Sequence, residues 1–214
     1  MLIIALVDDS FIKGRISVEG GKRARMRALT RQKILQTALA LFAERGYFGT
    51  TIDLISKRCR ISKGLIYHYF TNKQDILVAV LEEGLRAGYD LLKGLEDIPD
   101  PFQQFAVMIE RSFDEMLRNE AYWRLYFHVL LQPGVLELFA QRLTAFYQES
   151  IQYFVLLFRR MNVTNAEIEA RLLTAMLDGL GLHYFLVGRD FPLAAVKNAI
   201  IQRYSRHLDG NVDR

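Results

Sequence analysis

The sequence predicts an all-α protein of about nine helices, in which a small N-terminal domain of three helices precedes a larger helical domain. Apolar residues recur at helical spacing along most of the chain, and residues that cap helices stand before these stretches. An alternating strand pattern of useful length is missing. The chain has only four prolines in 214 residues, which suits helices better than a loop-rich β fold.

Residues 1–29 are predicted to be a basic flexible arm. Gly14, Gly20 and Gly21 interrupt any helix there, and a basic run that ends at Arg27 follows them. Such a segment is either a disordered tail or an arm that touches phosphates or a minor groove. The sequence favours neither interpretation.

Residues 30–78 are predicted to form the N-terminal domain. Its first helix carries one apolar stripe between Ile34 and Phe42, and Gly46 ends that helix. Two short helices joined by a tight turn follow, at about 51–58 and 62–70. These are the proportions of a helix-turn-helix, although the spacing alone is weak evidence because many helical cores contain it.

Capping residues mark the helix starts in this domain and beyond it. Thr50 and Thr51 can cap the second helix, Ser62 the third, and Asn72 a fourth, long helix. Asp100 can cap the helix that begins at the next residue, a proline. Further helices are expected in a larger domain over residues 79–214, at about 101–118, 120–132, 135–160, 164–188 and 192–207.

The charge is divided unevenly between the two parts of the chain. Residues 1–78 hold 14 Lys and Arg against 6 Asp and Glu, which gives +8. Residues 79–214 hold 14 against 18, which gives −4, and the two parts sum to the net +4. A basic first third suggests that only this part meets a polyanion such as a nucleic acid.

Two motifs within the basic part are highly specific when taken together. The first is Phe42-x-x-x-Gly46-Tyr47-x-x-Thr50-Thr51-x-x-x-Ile55, and the second is Ile61-Ser62-Lys63-Gly64-x-x-Tyr67-His68-Tyr69-Phe70-x-x-Lys73. They resemble the DNA-binding domain of the TetR family of repressors over roughly residues 30–78. The remainder of the chain resembles that family only in helix number and length.

The resemblance implies a DNA-binding site made of Thr51, Ser62, Lys63, Gly64, Tyr67, His68 and Lys73. Thr51 would offer its hydroxyl and backbone N–H to a phosphate. Lys63 and Gly64 would enter the major groove, where a glycine lets the helix approach base edges closely. Tyr67 and His68 would reach phosphates or base edges, and Lys73 would bind another phosphate. The assignment rests on the joint pattern, because each side chain alone is more often packing or a solvated group.

Two positions depart from the family pattern. Arg60 stands in the turn where glycine is usual, and a positive φ there would cost an arginine roughly 1 kcal/mol. Leu65 replaces a common threonine or serine, so a methyl-rich surface takes the place of a hydroxyl. Both changes bear on the operator sequence rather than on DNA binding itself.

The larger domain is predicted to bind a small apolar or aromatic effector. The expected pocket residues are Phe105, Met108, Trp123, Tyr126 and Phe127, although most such residues in a helical domain belong to its core. Tyr126 in particular is more often a satisfied core group than a ligand contact.

Several other classes of function are not supported by any motif. The sequence contains no G-x-S-x-G, HExxH, P-loop or GxGxxG pattern, so we expect no enzyme activity and no cofactor. His128 and His183 have no metal-ligand partners at a suitable spacing, and Cys59 is the only cysteine. The single cysteine fits a cytoplasmic location, and no uncharged apolar run of about 18 residues predicts a membrane span.

Together these features predict a ligand-responsive repressor that binds a palindromic double-stranded DNA operator as a homodimer and is released by its effector. The two final helices are expected to form the dimer, because the penultimate helix is more apolar than one buried face requires. The residues in question are Leu172, Leu173, Met176, Leu177, Leu180 and Tyr184. Two alternatives stay open: an architectural DNA-binding protein without an effector, and a lipid-carrier or enzyme domain with an incidental helix-turn-helix.

Overall fold

A computed structural model describes residues 21–205 of the chain, and within this range the protein is all-α, as predicted. The range contains nine α-helices, one short 3-10 turn at Gly188–Asp190 and no strand. The helices are α1 (Lys22–Arg45), α2 (Ile52–Cys59), α3 (Lys63–Tyr69), α4 (Lys73–Leu91), α5 (Pro101–Arg118), α6 (Glu120–Leu130), α7 (Val135–Arg160), α8 (Ala166–Val187) and α9 (Leu193–Ser205).

Helix α1 begins earlier than the sequence analysis predicts. It starts at Lys22 rather than near Thr30, so the predicted flexible arm is wrong for residues 22–29. Gly21 is the last helix breaker before a stretch of Ala, Arg, Met and Leu, which all have high helix propensity. The part of the predicted arm before Gly21 lies outside the described residues.

The predicted caps are confirmed at four helix starts. The Thr51 and Ser62 hydroxyls accept the backbone N–H groups of Leu54 and Leu65, each at 3.2 Å. Asn72 and Asp100 cap the starts of α4 and α5 by accepting backbone N–H groups three residues ahead, each at 2.9 Å. Thr50 has a different role, because its hydroxyl donates to carbonyl oxygens near the end of α1.

The described residues form two compact units, which we treat separately. The first unit contains residues 21–84 and 119–141, and the second contains residues 85–118 and 142–205. Residues 119–141 therefore pack with the helix-turn-helix, although the predicted domain boundary at residue 79 assigns them to the larger domain. The predicted division into a DNA-binding domain and a larger effector-binding domain concerns function rather than packing, and it stays a prediction.

In the first unit, α1 packs against α2 and α6. Tyr126 is fully buried, and its hydroxyl donates to the Leu81 carbonyl oxygen at 3.1 Å. Its ring lies beside Gly84, where an added Cβ would come within 2.4 Å of the ring. Glycine is therefore required at that position of α4, and Tyr126 is a satisfied core group.

In the second unit, the rings of Phe105, Phe158 and Tyr204 form a buried cluster that joins α5, α7 and α9. Burial and a hydrogen bond to Glu169 raise the pKa of Tyr204 to about 12. None of the helices within residues 21–205 combines the length and the apolar character that crossing a membrane requires.

Candidate nucleic-acid interface

Helix α3 presents most of the predicted DNA-binding residues to solvent. Ile66 and Phe70 are buried and anchor this segment to the domain, whereas Lys63, Tyr67 and His68 are exposed. The Tyr67 side chain is 56% exposed, which is high for an aromatic residue and leaves its hydroxyl available to a partner. The helix therefore buries one face and leaves a basic and aromatic face open.

Gly64 lies on the open face of α3. An added Cβ would meet only the Ser62 hydroxyl, at 3.9 Å, so nothing inside the protein excludes a larger residue. A glycine within a helix is nevertheless unfavourable by about 1 kcal/mol relative to alanine. The family resemblance implies that this glycine lets α3 approach a base edge closely in the major groove.

Thr51 and Ser62 cap α2 and α3 in the same way. Each side-chain oxygen accepts one backbone N–H, so each hydroxyl still has its own proton to donate. Thr51 is exposed at the start of α2. A phosphate oxygen is a suitable acceptor for such a hydroxyl and for the free N–H groups of the first helical turn.

Lys63 makes an ion pair that sequence reasoning missed. Its Nζ lies 2.9 Å from one carboxylate oxygen of Asp53 in α2, and the Nζ of Lys57 lies 2.7 Å from the other. The two ammonium groups, that of Lys57 before that of Lys63, hold the pKa of the Asp53 carboxyl below its usual value. Lys63 is therefore partly neutralised within the protein, and a phosphate or base would have to replace Asp53.

Lys73 points inward, although the resemblance implies a phosphate contact for it. Its Nζ donates to the carbonyl oxygens of Tyr47 at 2.7 Å and Thr50 at 2.8 Å, with a longer bond to Phe48 at 3.4 Å. The same ammonium lies 4.3 Å from the centre of the Tyr47 ring. Burial lowers the pKa of Lys73. Lys73 thus holds the α1–α2 loop, and with it the start of α2.

Gln132, which follows α6, holds the same loop from the other side. Its side-chain oxygen accepts the Tyr47 N–H and its amide nitrogen donates to the Phe42 carbonyl, both at 2.8 Å. The second bond satisfies a carbonyl in the last turn of α1, which has no partner within its own helix. No sequence signal could have revealed this contact, because 85 or more residues separate its partners.

The five predicted effector residues are divided between the two units. Trp123 and Tyr126 are fully buried in the first unit and contact each other and Phe127, which is only half-buried. Phe105 and Met108 are fully buried in the second unit. The indole N–H of Trp123 has no hydrogen-bond acceptor among the described residues.

A cavity of about 100 Å³ lies within the second unit, and none of the five predicted residues lines it. Its walls include Tyr89, Phe146, Glu149, Tyr153 and Phe154. The Tyr89 hydroxyl donates to the Glu149 carboxylate at 2.5 Å, and burial together with this bond raises the pKa of Tyr89 to about 12. Four aromatic residues therefore line the cavity together with the Glu149 carboxylate.

Comparison with known proteins gives matches in the helix-turn-helix and along most of the chain. The family model of the bacterial regulatory proteins of the tetR family matches residues 34–80. The HTH-type transcriptional regulator BetI from Brucella anthropi is 28% identical over 191 residues, which are 84% of this chain and 93% of that protein. IcaR from Staphylococcus epidermidis, a negative transcriptional regulator of a biofilm operon, is 32% identical over 107 residues, which are 50% of this chain and 56% of IcaR.

Among solved structures, the transcriptional regulator FadR from Bacillus subtilis has the same fold. It superposes with a TM-score of 0.65 at 16% identity and covers 81% of this chain and 96% of its own. Both curated relatives carry the names of transcription regulators rather than of enzymes. Residues 34–80 therefore form a helix-turn-helix domain of the tetR family of bacterial regulatory proteins, and most of the chain is similar to transcriptional regulators.

Proposed function

We propose that this protein is a repressor that binds a near-palindromic DNA operator through α3. The observation that carries the proposal is the open face of α3, where Gly64 has free space around it and exposed Lys63 and Tyr67 flank it. The similarity to IcaR, a negative regulator, supports repression rather than activation. Such a role places the protein in the cytoplasm, where bacterial DNA lies.

We also propose that it acts as a homodimer, but through a different face of α8 from the predicted one. Leu173, Leu177 and Tyr184 are buried within the protomer, so their assignment to the interface is wrong. Six apolar or small residues among those that α8 exposes or half-exposes are spaced alternately by four and three: Ile168, Leu172, Ala175, Gly179, Leu182 and Leu186. This is the spacing of a helix seam that packs against another helix.

The effector is proposed to be a small organic molecule with a large apolar part. The aromatic cavity of the second unit supports this chemistry, and FadR, of the same fold, is known in complex with stearoyl-CoA. A ligand that binds better to one conformer shifts the population of the DNA-competent state. An architectural protein without an effector is the alternative, and it predicts no change in DNA affinity with any member of a broad panel of apolar compounds.

Selection from random double-stranded DNA tests the repressor proposal. We expect an enriched near-palindrome whose half-sites lie about one helical turn apart or slightly more, since a dimer presents two α3 helices. Affinity should fall steeply as salt rises, because several phosphates are neutralised. Absence of any enriched palindrome at moderate salt would rule out the repressor.

A further inference from the structure

The start of α1 carries an unbalanced cluster of positive charge. Lys22, Arg23, Arg25 and Arg27 are all exposed, and none has an ion-pair partner among residues 21–205. The helix contains no acidic residue before Glu44, and none in its first turn. We call these four residues the basic end of α1.

This placement of charge is unfavourable for the helix itself. The N-terminal end of a helix carries a partial positive charge, so Lys and Arg side chains are destabilising in the first turn. The helix also lacks a side-chain cap, because Gly21 occupies the N-cap position. Helix stability therefore does not explain the cluster, whereas an external anion does.

Three of the four cations open onto a groove that α3 shares. Lys22, Arg23 and Arg27 line an open groove of about 500 Å³ together with Met26 and Thr30 of the same helix. The opposite wall is Tyr69, which belongs to α3. Arg25 is exposed but does not line this groove.

We propose that Lys22, Arg23 and Arg27 bind the sugar-phosphate backbone of the same DNA duplex that α3 reads. The inference rests on the proposed function and extends the site to a second element. The three cations have no ion-pair partner among residues 21–205, so a line of phosphates matches them in charge. Tyr69, the opposite wall of the protein groove, lies on α3, the helix that is proposed to enter the major groove of DNA. These contacts hold the duplex in register without reading its sequence.

The test compares the full-length triple variant Lys22→Ala/Arg23→Ala/Arg27→Ala with the wild-type protein on the selected operator. Each lost phosphate contact reduces the slope of log affinity against log salt by about 0.9, and a dimer loses each contact at both half-sites, so the triple variant should have a slope shallower by about 5. The single variants Arg27→Ala and Arg25→Ala are compared in the same way. Arg25→Ala is the matched control, because it removes the same charge from the same helix at a residue that does not line the groove. Thermal melting confirms that each variant is folded.

Direct contact is tested with operator duplexes that carry one neutral methylphosphonate at each position in turn. Some of these substitutions should weaken operator binding by the wild-type protein and by Arg25→Ala. The same substitutions should not weaken binding by the triple variant any further. The inference would be overturned if the triple variant had the operator affinity and the salt slope of the wild-type protein. It would also be overturned if the triple variant bound more weakly but stayed sensitive to methylphosphonate at the same positions as the wild-type protein. An equal loss in Arg25→Ala and Arg27→Ala would overturn the assignment to the groove. If the wild-type protein selects no DNA sequence, the proposed function itself fails.

Discussion

Arg60 occupies a backbone conformation that favours glycine. Its φ is 56°, in the left-handed region, and its N–H satisfies carbonyl oxygens at the end of α2. The departure of this turn from the family pattern therefore has a structural consequence, as the sequence analysis predicts. A non-glycine residue in this region is strained by about 1–2 kcal/mol, and part of this is offset because glycine makes the unfolded chain more flexible.

We expect Arg60→Gly to raise the free energy of unfolding by about 0.5–1 kcal/mol, which corresponds to a rise in Tm of about 1–4 °C. Thermal unfolding followed by circular dichroism measures this change. Asn162 has the same φ of 56°, and asparagine tolerates this region, so Asn162→Gly should give a smaller gain. A lower Tm for Arg60→Gly would show that the arginine side chain makes a stabilising contact.

Asp53 is expected to compete with DNA for Lys63, because the two side chains form an ion pair in the protein. The pair is exposed and therefore weak, so Asp53→Asn should tighten operator binding only by a few fold, about two- to fivefold. Fluorescence anisotropy at fixed salt measures the gain. The same substitution should have a smaller effect in a Lys63→Ala background, because the competition needs both charges. Weaker binding by Asp53→Asn would instead mean that Asp53 positions the lysine.

At the scale of elements, the local features of the helix-turn-helix could be predicted and the long-range ones could not. The caps at Thr51 and Ser62 are formed within four residues, so spacing and residue type reveal them. The sequence Thr164-x-x-Glu167 has the spacing of a capping box and predicts one before α8. That prediction is wrong, because Asn165 is the N-cap in a left-handed conformation and Glu167 pairs with Arg159.

Contacts between distant elements were missed for a physical reason. Gln132 reaches α1 across 85 or more residues, and Tyr126 fills the space above Gly84. An apolar pattern identifies the buried face of a helix but not the partner that covers it. An apolar pattern also cannot distinguish residues of the protomer core from residues of a dimer interface. For this reason the sequence predicts an interface at Leu173, Leu177 and Tyr184, which the protomer buries.

Lys73 holds the α1–α2 loop, whereas the family resemblance implies that it binds a phosphate. One variant distinguishes these two roles. We expect Lys73→Met to weaken binding to all sequences and to lower Tm, because the start of α2 loses its support. The slope of log affinity against log salt should stay unchanged, since the ammonium binds carbonyl groups inside the protein. A slope shallower by about 1.8, which is one contact at each half-site, would instead show that Lys73 binds a phosphate.

At the scale of the whole molecule, assembly is predicted to depend on the exposed seam of α8. Leu182 is 41% exposed and lies in the seam, so Leu182→Arg should give folded monomers with much weaker operator binding. Leu177→Arg should instead unfold the protein, because Leu177 is fully buried in the protomer. Light scattering at micromolar concentration measures the mass.

Leu131→Arg serves as the control for the seam. Leu131 is also an exposed leucine, but it belongs to the first unit rather than to α8, so its variant should keep the mass of a dimer. A wild-type monomer, or a dimer that survives Leu182→Arg, would contradict this placement of the interface.

The central claim is that the open face of α3 reads DNA. Its most direct test is a fluorescence anisotropy titration of the selected operator with the wild-type protein and with Lys63→Ala/Tyr67→Ala. A base contact contributes about 1–3 kcal/mol, so the double variant should bind at least about tenfold more weakly while its Tm stays within a few degrees. A folded double variant whose affinity is within twofold of the wild-type value would contradict the claim.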